Sequence, residues 1–393
     1  MAKPADGKYR TSHTASLRRL VADVLHRAGW TRVNGQFLPP KFLDKDQLRG
    51  ALGNLRVERA EREREVVDKF GPTLLQEFAE SREVDPCSFS PALFPVQAGT
   101  WDAMLFRFAT LLWSVPVSRG YGRRMRYLIR DMSNNKLVGV FALGDPVFNL
   151  RARDLDIGWT VDDREARLYH VFDAYVLGAV PPYSRLLAGK FVALAAISDE
   201  VRSDFAKRYR GHRTSIRRKR RPASLVLVTT ISGLGRSSIY NRLRLPEEVD
   251  PAYRSVGFSG GWGHFHIGDA TFLRLRGWLR EVGDPYADGH GYGQGPNWRL
   301  RTIRRALDLL GFNGDLLKHS IEREVFAAPL ASNYREFLRG EHKQPRYFRR
   351  SLKMLAEAFK DRWMIPRSQR FNDWSEWTRR DTWEAISANI RPR

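Results

Sequence analysis

The 393-residue sequence contains a single cysteine, Cys87. No intrachain disulfide can form, and a zinc site built from cysteines is excluded. Long apolar runs are also missing. No uninterrupted stretch approaches the roughly 18 residues that a membrane-crossing helix requires. The opening segment, Met1-Ala-Lys-Pro-Ala-Asp-Gly-Lys8, lacks the apolar stretch of a secretory signal. A cytoplasmic protein with no membrane partner is therefore expected. Acidic residues are scarce as well, with 44 Asp and Glu against 67 Lys and Arg, which leaves a net charge of +23. A cationic excess rich in arginine points to a polyanionic partner, DNA above all. The plainer reading is a basic surface that keeps the chain soluble.

The hydrophobic content of 42% is that of a folded protein, and the length allows two or three domains. Residues 1–95 read as a helical N-terminal region. Leu17, Leu20, Val21, Val24, Leu25 and Ala28 fall on one helical face, with Gly29 as a stop. A second helix is expected from Leu43 to Phe70, its alternating charges between Arg56 and Glu65 forming a solvated, ion-paired face. Pro72 is expected to start a short third helix. Pro91, Pro95 and Gly99 mark a boundary. Residues 96–282 follow as an α/β core, and residues 283–393 as a Gly-rich loop with a basic, Trp-rich helical C-terminal region.

Within the core, the apolar runs Val138–Leu143, Val176–Val180 and Leu225–Thr230 read as strands alternating with helices, hence a mixed sheet. The helix start after Pro181-Pro182, with Arg185, Gly189 and Lys190, is a seat for an anion. It is similar to the pyrophosphate loop of acyl-CoA N-acyltransferases, although Ala188 stands where that loop prefers glycine. Tyr253-Arg-Ser-Val-Gly-Phe258 adds to this likeness, and the core is expected to be N-acyltransferase-like.

Several stretches carry chemistry. Gly120, Gly122, Arg123 and Arg124 form a cationic loop suited to phosphate, or else an exposed turn. Nine cations crowd the fifteen residues from Lys207 to Arg221, among them Arg213, Arg217, Arg218, Lys219, Arg220 and Arg221. Such a run is either solvated or neutralised by a phosphodiester chain. Ser232-Gly-Leu-Gly235 follows a strand and is expected to lead into a helix bearing Arg236, Asn241 and Arg242, further candidate phosphate contacts. It lacks the Gly-Lys-Ser/Thr ending of a nucleotide-hydrolysing loop. Asp154 and Asp156 would share one face of a strand and either hold Mg²⁺ or pair with Arg151 and Arg153. His264-Phe-His266 would likewise set two imidazoles on one strand face for a divalent ion, Mg²⁺ or Mn²⁺. That pattern occurs in nickases that attack with a tyrosine, for which Tyr286, Tyr292 and Tyr334 are candidates and Tyr292 is carried forward. Chance or packing is the plainer account of the same histidines.

Taken together, the segments resemble the Druantia anti-phage defence family, the DruA proteins. The likeness runs through Trp113-Ser-Val-Pro-Val-Ser-Arg-Gly-Tyr-Gly-Arg-Arg124, Gly144-Asp-Pro-Val-Phe-Asn-Leu150 and Arg153-Asp154 with Ile157-Gly-Trp159. It continues through Asp173-Ala-Tyr-Val-Leu-Gly-Ala-Val-Pro-Pro-Tyr183, Gly189-Lys190, Gly235-Arg-Ser-Ser-Ile-Tyr-Asn-Arg242 and Gly295-Pro-Asn-Trp298. The resemblance implies a role in bacterial defence against phage beside a large helicase-like partner. Three activities stay open on the sequence: DNA binding, metal-assisted strand nicking and acyl transfer from acyl-CoA.

Overall fold

The computed structural model describes residues 13–41, 44–115, 117, 120, 122–211, 224–246, 248–288, 298–312 and 315–390. In chain order the elements begin with helix α1 (His13–Arg27), the hairpin β1 (Thr31–Val33) and β2 (Gln36–Leu38), and helices α2 (Lys45–Ala51) and α3 (Gly53–Leu75). There follow β3 (Pro91–Pro95), α4 (Trp101–Ala109), β4 (Arg124–Asp131), β5 (Lys136–Gly144), α5 (Arg151–Ile157), α6 (Val161–Arg167) and β6 (Val171–Ala179). The chain continues as α7 (Ala188–Ala195), α8 (Asp199–Tyr209), β7 (Leu227–Ile231), β8 (Arg254–Phe258), α9 (Asp269–Glu281) and α10 (Trp298–Leu309). It closes with β9 (Glu324–Pro329), α11 (Tyr334–Arg339), α12 (Leu352–Phe359), α13 (Ile365–Arg370) and α14 (Arg379–Ser387). Among the described residues no helix is long and apolar enough to cross a membrane.

Two compact units form. One joins Met1–Glu58 to Gly260–Arg323, and the other joins Arg59–Ser259 to Glu324–Arg393. The first unit packs α1, α9 and α10 around Leu17, Val21, Leu25, Trp30, Leu275, Trp278 and Ile303. The helical spacing from Leu17 to Leu25 puts these apolar side chains on the buried face, as the sequence predicts.

The second unit is built on a seven-stranded sheet in the order β3-β4-β5-β6-β7-β9-β8. Every neighbouring pair is antiparallel except β6–β7, which is parallel and joined through α7 and α8. Side-chain alternation buries both faces. Met125, Tyr127 and Ile129 face the cluster that contains Phe191, Phe205 and Phe359, whereas Leu128, Val140 and Ala142 face the one containing Leu105, Phe108 and Leu74. Helices α7, α8 and α12 thus cover one face and α3, α4 and α14 the other. The mixed α/β core expected from the sequence is present.

The parallel pair is short. Only Val171, Phe172 and Asp173 register with Leu227, Val228 and Thr229. Beyond Asp173, β6 runs on to Ala179 beside β5 alone. The carboxyl ends of β6 and β7 therefore diverge, and each feeds a polar loop.

Two expectations are corrected. Pro72 does not begin a helix but lies inside α3. The preceding residue, Gly71, has no Cβ to clash with the proline ring, so the α conformation before proline is tolerated. Asp154 and Asp156 stand on a helix, not a strand. Two residues of helix turn about 200°, so the carboxylates separate, and both are ion-paired. Asp154 binds Arg153 and Arg164 at 2.6 Å each, while Asp156 binds Arg335 at 2.6 Å and Arg254 at 3.5 Å. Gly158, at φ 79°, ends α5 in the left-handed conformation that glycine adopts without strain.

Candidate nucleic-acid interface

The two polar loops at the carboxyl ends of β6 and β7 meet. Lys190, in the first turn of α7, reaches across with its Nζ to donate to the Ser238 and Ile239 carbonyls at 3.1 and 3.0 Å. This joins two stretches that the sequence flagged separately as anion seats. Arg242 follows on the same β7 loop, exposed and at φ 64°. From the C-terminal region Arg362 arrives, its guanidinium donating to the Arg244 carbonyl at 2.7 Å and lying 5.0 Å from the Trp363 ring centroid. Lys190 itself lies 5.9 Å from the same ring.

Electrostatics at this seat are one-sided. Burial pushes the Lys190 ammonium below its ordinary pKa, and the positive charges of Arg362 and Arg242 push it the same way. No carboxylate compensates: among the described residues none of Lys190, Arg236, Arg242, Arg244 and Arg362 forms an ion pair. Arg236 is exposed at the opposite end of the loop, 6.0 Å from the centroid of the exposed Phe258 ring. Asn241 is exposed and uses its amide to hold the loop, donating to the Ser237 carbonyl at 2.7 Å. Unpaired cations that repel one another are stabilised by an external anion, and guanidinium groups match phosphate oxygens.

Other cations are already engaged. Arg123 donates to Asp145 at 2.8 and 2.9 Å and to the Tyr169 carbonyl at 2.8 Å. Its guanidinium also lies 5.0–5.3 Å from the rings of Phe172, Phe205 and Tyr209, so it serves the packing of the fold. Arg124 opens β4 with an exposed side chain. Arg185 donates to the Asp373 carbonyl at 2.9 Å and stacks 4.5 Å from Trp377. The dense run Arg213, Arg217, Arg218, Lys219, Arg220 and Arg221 lies outside the described residues, as does Tyr292.

The histidine pair belongs to the first unit. The strand expected beneath His264 and His266 does not form; the segment is a turn leading into α9. His266 is 8% exposed, and neither ring nitrogen makes a hydrogen bond of normal geometry. Its ring packs 5.3 Å from Trp30. Burial lowers the pKa of His264 to about 4, with Arg299 adding to the effect. Burial lowers His266 to about 4 as well, reinforced by His319 and His264. His319 is also near 4, through burial and Arg323, and its Nδ1 accepts from the Ile321 amide at 3.1 Å, which requires the neutral ring. Among the described residues no group of three or more His, Cys, Asp or Glu side chains is placed to hold a metal ion. The other tyrosine candidates belong to different units. Tyr286 lies in the first unit, and Tyr334 in the second, where its hydroxyl donates to Asp156 at 2.7 Å.

Comparison with known proteins settles the family. The family described as Druantia protein DruA matches residues 43–340. Druantia protein DruA from Escherichia coli (strain UMEA 4076-1) is 44% identical over 374 residues, covering 95% of this chain and 92% of that protein. The chain belongs to the DruA family. No solved structure matches it. The DruA match takes in α7 and the β7 loop, and therefore Lys190, Arg236, Asn241 and Arg242. Arg362 lies beyond the matched residues and comes from a helical region that carries no motif of its own. Sequence reasoning missed it because no local pattern marks an arginine that arrives from more than a hundred residues away.

Proposed function

We propose that this DruA-family protein acts in anti-phage defence by binding the phosphodiester backbone of DNA through Lys190, Arg236, Arg242 and Arg362. The observation that carries the reading is the convergence of Lys190, Arg242 and Arg362, with Arg236 at the far end of the same loop and no carboxylate partner for any of the four among the described residues, at the diverging carboxyl ends of β6 and β7. In open α/β sheets such crevices are where ligands bind. Backbone contacts of this type give affinity without base specificity. The Arg213–Arg221 run, which lies outside the described residues, would add further phosphate contacts by its charge alone. A large helicase-like partner, implied by the family, would supply the motor activity that this chain's loops do not encode, and the cell compartment would be the cytoplasm.

The strand order, with its one parallel pair opening toward the carboxyl ends, supports an N-acyltransferase-like core. A second reading follows, in which the same cations hold the pyrophosphate of an acyl-CoA. Two observations favour DNA: the net charge of +23, far more than one cofactor needs, and Ala188 in place of the glycine that the pyrophosphate loop prefers. Calorimetric titration with acetyl-CoA separates the two, since heat at micromolar ligand would establish the cofactor reading.

The direct test is fluorescence anisotropy with a labelled 30-base-pair duplex. The triple variant Arg236→Ala/Arg242→Ala/Arg362→Ala removes three phosphate contacts while leaving Lys190 to cap the loop. It is expected to weaken binding roughly a hundredfold at 0.1 M salt. Wild-type affinity in the triple variant would remove this seat from the interface.

A further inference from the structure

All eleven tryptophans of the chain lie among the described residues, and Trp262 alone is exposed, at 51%. A large aromatic ring in water forfeits the stabilisation that burial would give, and the fold makes no use of this one as core. Its backbone is hydrogen-bonded in place all the same. Trp262 pairs with Lys318 in an isolated antiparallel bridge. Backbone hydrogen bonds close on either side, from the Gly263 amide to the Leu317 carbonyl at 2.9 Å and from the His319 amide to the Gly261 carbonyl at 2.8 Å.

The neighbours keep the ring bare. Gly260, Gly261 and Gly263 surround it in sequence. Gly261 takes φ 66°, and a Cβ there would meet the Ser320 backbone at 3.0 Å, so no side chain can stand beside the ring at this position. Cations border the ring. The Arg304 guanidinium lies 5.6 Å from its centroid, and Lys318 sits directly across the bridge, which places both side chains on one side. Arg301 is exposed one turn before Arg304 on α10, on the same helical face. Asp315, 3.7 Å from Arg304, and Asp308, one turn further along α10, are nearby acids.

An exposed indole on a paired backbone, edged by Arg and Lys, has the chemistry of a base-stacking platform. We infer that Trp262 stacks an unpaired nucleobase, with Arg301, Arg304 and Lys318 engaging the flanking phosphates, so that the first unit binds single-stranded nucleic acid. This rests on the reading of the protein as a DNA binder and adds a strand preference that the β6–β7 seat does not provide. A duplex keeps its bases stacked on one another and cannot offer one to the ring.

The experiment compares the full chain with Trp262→Ala and Trp262→Phe, using a labelled oligothymidylate and a duplex of equal length. Trp262→Ala is expected to lose about 5- to 100-fold in affinity for the single strand and to bind the duplex as wild type does. Trp262→Phe, which keeps an aromatic face, should retain most of the single-strand affinity. Oligothymidylate should also quench the wild-type tryptophan emission more than that of Trp262→Phe. Unchanged single-strand affinity in Trp262→Ala, or equal losses for both DNA forms, overturns the stacking role while leaving DNA binding in place. If wild type binds neither form, both readings fail together.

Discussion

Arg153→Ala is expected to lower the unfolding free energy by about 3–5 kcal/mol, the range for removing one partner of a buried ion pair. Arg153 is fully buried, yet every donor group of its guanidinium is used. Nε donates to Asp154 at 2.8 Å, and the two terminal nitrogens donate to the Val147 and Phe148 carbonyls at 2.9 Å each. The Trp159 ring lies 5.5 Å away. Truncation leaves two partly buried carbonyls without a donor and opens a void beside Asp154, which would keep only Arg164 as a charged partner. Unpaired buried groups cost about 1–3 kcal/mol each, so the loss comes from several small terms acting together. Arg153 also moderates Asp173, whose carboxyl is pushed up to about 6 by burial, against the Thr229 hydroxyl and the Arg153 charge. Urea unfolding followed by far-ultraviolet circular dichroism measures the effect. A midpoint within experimental error of wild type would mean that this network does not hold α5 to the sheet.

Acid should unfold the first unit well above the pH at which carboxylates titrate. His264, His266 and His319 have folded-state pKa values near 4, against 6.5 for the free side chain. Between these limits the unfolded chain binds protons that the folded chain refuses, so stability rises with pH and is lost as pH falls from 6.5 toward 4. For His266, 8% exposed, the drop from 6.5 to about 4 corresponds to roughly 3 kcal/mol. The three rings repel one another once charged, so their contributions do not simply add. Thermal unfolding scanned from pH 7.5 to 4.5 reads this loss. His266→Phe should flatten the pH dependence and be neutral or stabilising at pH 7.5, because the two ring nitrogens that lack partners disappear. A wild-type melting temperature that is flat across this range would show that the histidines are solvated.

The parts of the fold legible in the sequence are those whose signal is local. The spacing of Leu17, Val21 and Leu25 specifies α1, and the unbroken apolar run through Val138 specifies β5, because periodicity follows directly from which face is buried. β3 and β9 are not legible in the same way. Pro91 and Pro95 bracket β3 and read as a boundary, whereas proline is tolerated there because the strand is at the edge of the sheet. Glu324 opens β9 with a buried carboxylate, which accepts from the Ser237 amide at 3.3 Å, a partner that no sequence window contains. Asp154 and Asp156 mislead for a related reason. The same alternation that pairs two carboxylates on a strand separates them on a helix, and the residues that fix the helix, Gly158 at its end above all, act through backbone conformation. At the candidate site, Lys190 is legible as a cation beside a glycine at a helix start and Arg242 as one in a glycine-led loop after a strand; the helix expected after Gly235 does not form, and turns stand in its place. Their convergence with Arg362 is a property of the sheet order and of the docking of α12 and α13, which only the fold supplies.

A cluster of cations without carboxylate partners at the carboxyl ends of β6 and β7 is proposed to take up phosphates and release their counterions. Measuring duplex affinity between 50 and 300 mM salt tests it most directly, since each phosphate neutralised adds about 0.9 to the slope of log K against log salt. The wild-type slope is expected to be steep and to fall by about 2–3 in Arg236→Ala/Arg242→Ala/Arg362→Ala. A slope that is shallow in wild type, or identical in the two proteins, would contradict it.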